Sequence, residues 1–160
     1  MAPITLEDIK AEHTRLAELI AKFEAQPAAE REQIHFPEVL IDLNPGEQYA
    51  GLIVGKDGEP SYHLVLLPGE AEEITFTDAN EWARRRQGGE YEASLPTRRE
   101  QALLYANCKE QFQSAWYWSS EAHASDAGSA WFQYFDYGGQ GYSHQFYQLR
   151  ARAVRRLILE

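Results

Sequence analysis

Apolar residues in the first 25 positions fall at Leu6, Ile9, Leu16, Ile20 and Phe23, and with His13 they alternate three and four apart over three heptads. This spacing predicts a helix from 5 to 25 with a narrow coiled-coil seam, to which Leu19 adds an apolar shoulder. Thr5 and Asp8 give it a capping-box start, with Asp in place of the usual Glu or Gln, and Pro27 marks its end. The seam, Leu6, Ile9, His13, Leu16, Ile20 and Phe23, is expected to join copies of the chain, with His13 as a packed or hydrogen-bonded register residue. Packing of the same stripe against the chain's own domain is the alternative.

Residues 27–38, rich in Ala and Glu and containing Pro27 and Pro37, read as a linker between a helix at 1–26 and a domain at 39–160. Two apolar runs, Tyr49 to Val54 and Tyr62 to Leu67, flank a six-residue turn from Gly55 to Pro60 and predict a β-hairpin. Thr77 is expected to cap a helix from Asp78 to Gln87 with Ala79, Trp82 and Ala83 on its apolar face, ended by Gly88-Gly89. In Leu95-Pro96-Thr97, proline breaks an incoming strand, and Thr97 with Glu100 forms a capping box for a helix to about Asn107.

With 160 residues and 44% apolar content the chain suffices for one domain plus an accessory element. No run approaches the roughly 18 apolar residues of a membrane span, and no basic segment followed by an apolar one opens the chain. A soluble product made in the cytoplasm is therefore expected, with virion association left open. Cys108 is the only cysteine, so no internal disulfide and no cysteine cluster can form within one chain, and its apolar helical setting predicts a small buried core residue. Charge is uneven: residues 1–96 hold 19 acidic and 8 basic side chains, residues 97–160 hold 6 and 7. That acidity disfavours nucleic-acid binding.

Twelve of the chain's twenty Phe, Tyr and Trp residues lie between Phe112 and Tyr147, more than a single core strand needs. They sit within an ordered set of motifs: LPTRREQALLY at 95–105, WYWSS at 116–120 and SAWFQYFDYGGQGYSHQFYQLRARAVRRL at 129–157. This set resembles the lectin-like domain of bacterial and prophage proteins called DUF1566 or the Lcl C-terminal domain, a relative of the C-type-lectin and formylglycine-generating-enzyme folds. The usual Trp-Arg before Leu-Pro-Thr is replaced here by Ala93-Ser94. The resemblance implies an α+β, C-type-lectin-like domain that binds a ligand. It implies that Trp116, Trp118 and Trp131 pack inside, joined by Phe135, while alternation puts Phe132 and Tyr134 on the opposite face. It also implies a ligand-facing segment between the YWSS and RAVR strands, carrying Tyr134, Tyr137, Tyr142, His144 and Tyr147 with Gln140 and Gln145 as polar partners. Tyr and Trp with nearby Gly, Ser and Gln are the composition of paratopes and carbohydrate platforms.

Oxidative chemistry of the formylglycine-generating type needs a cysteine pair, which this chain lacks. Glu59-Pro60-Ser61 resembles the sugar-binding Glu-Pro-Asn triplet of calcium-dependent lectins, but Ser replaces Asn and no Trp-Asn-Asp follows, so a turn is expected. The five histidines, at 13, 35, 63, 123 and 144, show no metal-ligand spacing, and no nucleophile elbow surrounds Ser119-Ser120 near Glu121 and His123. A non-enzyme without cofactor or metal is expected. Arg150, Arg152 and Arg155 alternate with small residues and are expected to line an outer face of the last strand in a structural role.

The sequence thus predicts a homo-oligomeric phage or prophage recognition protein that binds a host protein or glycan through its aromatic C-terminal surface, without nucleic-acid binding or membrane insertion. An intracellular phage accessory protein that inhibits or redirects a host protein, and a purely structural assembly protein, are the alternatives.

Overall fold

Thr5 and Asp8 satisfy each other's backbone at the start of the first helix, α1 (Leu6–Glu24): Thr5 N donates to Asp8 Oδ2 at 2.8 Å and Asp8 N donates to Thr5 Oγ1 at 3.2 Å. The Thr5 hydroxyl, and then its backbone N–H, hold the Asp8 carboxyl below its ordinary range. None of the α1 side chains is buried within its own unit, and Phe23 is 75% exposed. The computed structural model describes residues 3–26, 35, 38–86 and 92–159, and the chain divides into two compact units, Met1–Glu38 and Val39–Glu160. The expected linker at 27–38 lies almost wholly outside the described residues, as does the expected stop at Gly88-Gly89.

The second unit is α+β. Its expected hairpin forms from β1 (Gln48–Ile53) and β2 (Tyr62–Leu66), and the last strand, β8 (Val154–Ile158), pairs antiparallel with β2 in a three-stranded sheet of order β1-β2-β8. The second sheet contains β3 (Ala71–Ile74), β4 (Trp116–Ala122), β5 (Ser129–Tyr134), β6 (Gln140–His144) and β7 (Leu149–Ala151) in the order β3-β7-β4-β5-β6. Its pairings are antiparallel except for β4 with β7. β3 has no counterpart in the sequence reading.

Two helices cover the strands. α2 (Phe76–Arg84) is capped by Thr75, whose Oγ1 accepts from Asp78 N at 3.3 Å, and not by Thr77. The earlier start is set by packing: it brings Phe76 edge-on against Trp118, with ring centroids 5.6 Å apart, while Thr77 stays exposed. α3 (Arg98–Cys108) begins as expected at Thr97, which donates through its N–H to Glu100 Oε2 at 2.8 Å and accepts from Glu100 N at 3.2 Å. Among the described residues just before Pro96, 92–95, there is a single bridge, Ser94 with Val154, and no strand.

Two apolar clusters result. Trp118, Leu67, Leu95 and Ala151 pack with Ala79 and Ala83 of α2, and the Trp118 indole N–H donates to Ile74 O at 2.9 Å, so its buried donor is satisfied. Leu64, Leu66, Tyr117, Phe135 and Val154 pack with Leu104 and Cys108 of α3. Gly51, at φ 137°, lets α3 approach β1, where Asn107 Nδ2 donates to Ala50 O at 2.7 Å. The expected outer row of arginines is corrected. Arg152 and Arg155 are buried, because the chain leaves β7 and crosses at Arg152-Ala153 into the other sheet, which interrupts strict alternation. Arg152 donates to Gln111 O and, at 3.0 Å, to Leu67 O, and Arg155 pairs with Glu47 at 2.8 Å. Their role is structural, but on the inside.

Cys108 is fully buried, and burial, with the Glu110 charge second, pushes its thiol up to about 11. Alkylation by iodoacetamide at pH 8 is therefore expected only as fast as the domain opens, which mass spectrometry with and without urea will show. Since the folded thiol holds its proton more tightly than an unfolded one, its contribution is intact below the ordinary thiol value of 9.0 and is lost as pH rises towards about 11.

Candidate ligand-binding surface

Register decides which aromatics share a face. Trp116 pairs with Tyr134 and Trp118 with Phe132 across β4 and β5, and directly opposed residues project to the same side, so all four side chains lie on one face. Phe76 of α2 packs on Trp118, whereas Trp116 is left 47% exposed. Trp116 stacks on Phe132 with centroids 4.9 Å apart and meets Tyr134 at 88° and 6.2 Å, and Tyr134 in turn packs against Tyr137 at 4.8 Å. Gly141 opposite Phe132 leaves room for that stack, because a Cβ there would lie 3.0 Å from the tip of the Phe132 ring and push it aside. The expectation that Trp116 packs inside is thereby corrected: it shares a face with Trp118 but stands open where Trp118 is covered.

A cleft of about 440 Å³ opens beside this row, walled by Trp116, Tyr134 and Leu149, with Glu72, Glu73, Gln148 and Arg150 as polar groups. Arg150 donates to Glu72 Oε1 at 2.7 Å and to Glu70, and Glu70 also accepts from the buried Tyr117 hydroxyl at 2.7 Å. The charge of Arg150 is thus matched by two carboxylates. Glu73 sits at φ 48° where the pairing of β3 with β7 shifts register, a conformation uncommon for a non-glycine residue, and no hydrogen bond or ion pair engages its carboxylate among the described residues. The sequence reading missed Glu72, Glu73, Gln148 and Arg150 as neighbours of the aromatics.

The opposite face gathers another group. Trp131 pairs with Tyr142, and neither belongs to the core: Trp131 is half-buried under the Arg98 guanidinium, 3.5 Å from its ring centroid, and Tyr142 is 50% exposed. The expected interior position of Trp131 is therefore also corrected, and Phe135 alone joins Trp118 as fully buried. His123 packs against both, 5.1 Å from Trp131 and 4.1 Å from Tyr142, while its Nδ1 accepts from Asp126 N at 2.9 Å. His144, Phe146 and Tyr147 form a further exposed cluster, with His144 and Phe146 stacked at 5.2 Å. The residues predicted as one ligand surface are thus divided: Tyr134 and Tyr137 on one face, Tyr142 and His144 on the other, and Tyr147 in the turn after β6. The two polar partners are occupied within the fold. Gln140 Nε2 donates to Arg98 O at 2.7 Å and to Gln133 Oε1 at 2.8 Å, and Gln145 Nε2 donates to Ser129 O at 3.2 Å.

Elsewhere the chemistry is committed to structure. The buried Ser119 hydroxyl accepts from Glu121 N at 3.1 Å, and a Glu121 carboxylate oxygen accepts from Arg98 N at 2.6 Å. Glu59-Pro60-Ser61 closes the hairpin turn, with Gly55 N donating to Ser61 Oγ at 3.0 Å. Among the described residues, no group of three or more His, Cys, Asp and Glu side chains is placed to hold a metal ion, and no helix is long and apolar enough to cross a membrane.

No family model matches this chain, and no curated protein matches it significantly.

Proposed function

We propose that this chain is a non-enzymatic recognition protein of phage or prophage type, whose lectin-like domain binds a host glycan or protein and whose N-terminal helix joins several copies. One observation carries the binding reading: the exposed Trp116 and half-buried Tyr134, backed by Phe132, beside an open cleft with hydrogen-bonding groups. Rigid aromatics supply contact area at small entropic cost, and Gln148, Glu72 and Glu73 supply orientation at the rim. The lectin-like assignment is supported by the motif order at 95–105, 116–120 and 129–157, and by the return of the last strand, β8, to the hairpin near the domain's start. The multimeric reading is supported by an α1 seam whose apolar side chains are all exposed.

A pull-down with the purified full chain against separated envelope and cytosolic fractions of bacterial hosts tests this reading. Capture of an envelope glycan or protein, lost in a folded Trp116→Ala/Tyr134→Ala variant, is expected. Capture that persists undiminished in that variant would remove the aromatic cleft from the account, and a single stoichiometric cytosolic partner would favour an intracellular modulator instead.

A further inference from the structure

We infer that the Trp116–Tyr134 cleft takes a positively charged ligand group, an organic ammonium, rather than a neutral or anionic one. The inference rests on the reading of this cleft as the ligand face and names the chemistry the cleft selects.

Three observations on that face converge. First, two aromatic rings meet at 88° with centroids 6.2 Å apart, forming a corner in the cleft wall, and aromatic faces attract cations through their quadrupole. Second, Glu72 and Glu73 line the same cleft, and Glu73 makes no hydrogen bond or ion pair among the described residues. Third, among the described residues the only basic side chain in the wall, Arg150, is already held by Glu70 and Glu72. Among the lining side chains, Glu72 and Glu73 against Arg150 leave a local charge of −1. An anion entering here would meet the unengaged Glu73 carboxylate and a guanidinium already held by Glu70 and Glu72. A neutral sugar could stack on the rings and bond the rim but would leave the Glu73 charge unmatched. An ammonium group satisfies both the rings and the carboxylate. The domain's own excess of acid, 17 acidic against 11 basic side chains over residues 39–160, adds a long-range field of the same sign. The cleft volume of about 440 Å³ exceeds what an ammonium head alone needs, so the charged group is expected to be carried on a larger organic molecule.

Choline and its uncharged carbon isostere 3,3-dimethylbutan-1-ol differ only in the charge at the quaternary centre, so titrating the full-length protein with each at constant ionic strength isolates the effect. The indole N–H resonance of Trp116, assigned by its loss in Trp116→Phe, is the readout. Choline is expected to shift it saturably and to bind about tenfold or more tighter than the isostere, with Glu73→Gln removing most of that advantage. Equal affinities, or no saturable shift with choline, would overturn the inference. Competition in the envelope pull-down separates the two levels. Capture that needs Trp116 and Tyr134 but is untouched by saturating choline defeats the cation assignment and leaves the recognition surface standing. Capture that needs neither residue defeats the recognition surface itself.

Discussion

Replacing Glu100 with alanine is expected to cost the domain about 3–5 kcal/mol of folding stability, a large share of the 5–15 kcal/mol typical of such domains. Glu100 has no exposed surface and is the hub of a buried network. Its carboxylate accepts from Arg156 Nε at 2.6 Å and Nη2 at 2.7 Å, from the Tyr62 hydroxyl at 2.6 Å and from Thr97 N at 2.8 Å. Those partners come from β8, β2 and the cap of α3, so one side chain ties the small sheet to the helix that covers it. Burial, and then the bond to Glu100, push the Tyr62 hydroxyl up to about 12, which keeps it a donor at any ordinary pH. Removing the acceptor takes the charge partner from a guanidinium that then keeps only Ser94 Oγ and Leu95 O, and leaves a phenol and a backbone N–H without their acceptor. Opening the exposed pair of Arg85 with Glu81 is instead expected to cost roughly 0.5 kcal/mol or less, because both groups return to water. Urea denaturation of the two variants measures the contrast. A Glu100→Ala loss below about 1 kcal/mol would mean that water or rearranged partners replace the network.

Leu16→Asp with Ile20→Asp is expected to turn an assembly of several chains into single chains of 18.3 kDa without unfolding the domain. Both positions lie in the α1 seam, both are exposed in the single chain, and α1 buries no side chain there. An apolar stripe of this kind gains stability by pairing with another, and a charge at two of its positions makes that pairing unfavourable. Light scattering after size exclusion gives the mass directly. A wild-type mass that already equals one chain would contradict the prediction. Since linked heads gain avidity without new contacts, loss of the assembly is also expected to weaken binding to a multivalent surface by on the order of 10²-fold, while binding to a single soluble ligand is unchanged.

Local signals were legible and long-range ones were not. The caps of α1 and α3 could be read because a capping box lies within four residues, Thr5 to Asp8 and Thr97 to Glu100. The start of α2 was misplaced because Thr75 and Thr77 both precede Asp78 closely, and the choice between them falls to Phe76 packing on Trp118. β3 was invisible: Ala71–Ile74 carries two glutamates and aligns with β7 only at its ends. Alternation could put Trp116 and Trp118 on one face, but which of them is covered depends on the reach of α2. The division of Tyr134 from Tyr142 follows from the β5–β6 register, in which Trp131 and not Tyr134 opposes Tyr142. The acidic side of the cleft joins Arg150 to Glu72 across 78 positions, a separation no local pattern encodes.

On the proposed reading one face, and not the whole aromatic segment, meets the ligand. Measuring the affinity of the captured partner for two folded double variants tests it most directly. Trp116→Ala/Tyr134→Ala is expected to lose about 100-fold, whereas Tyr142→Ala/Tyr147→Ala, away from the cleft, stays within about threefold of the unaltered protein. Equal losses, or the reverse order, would contradict it.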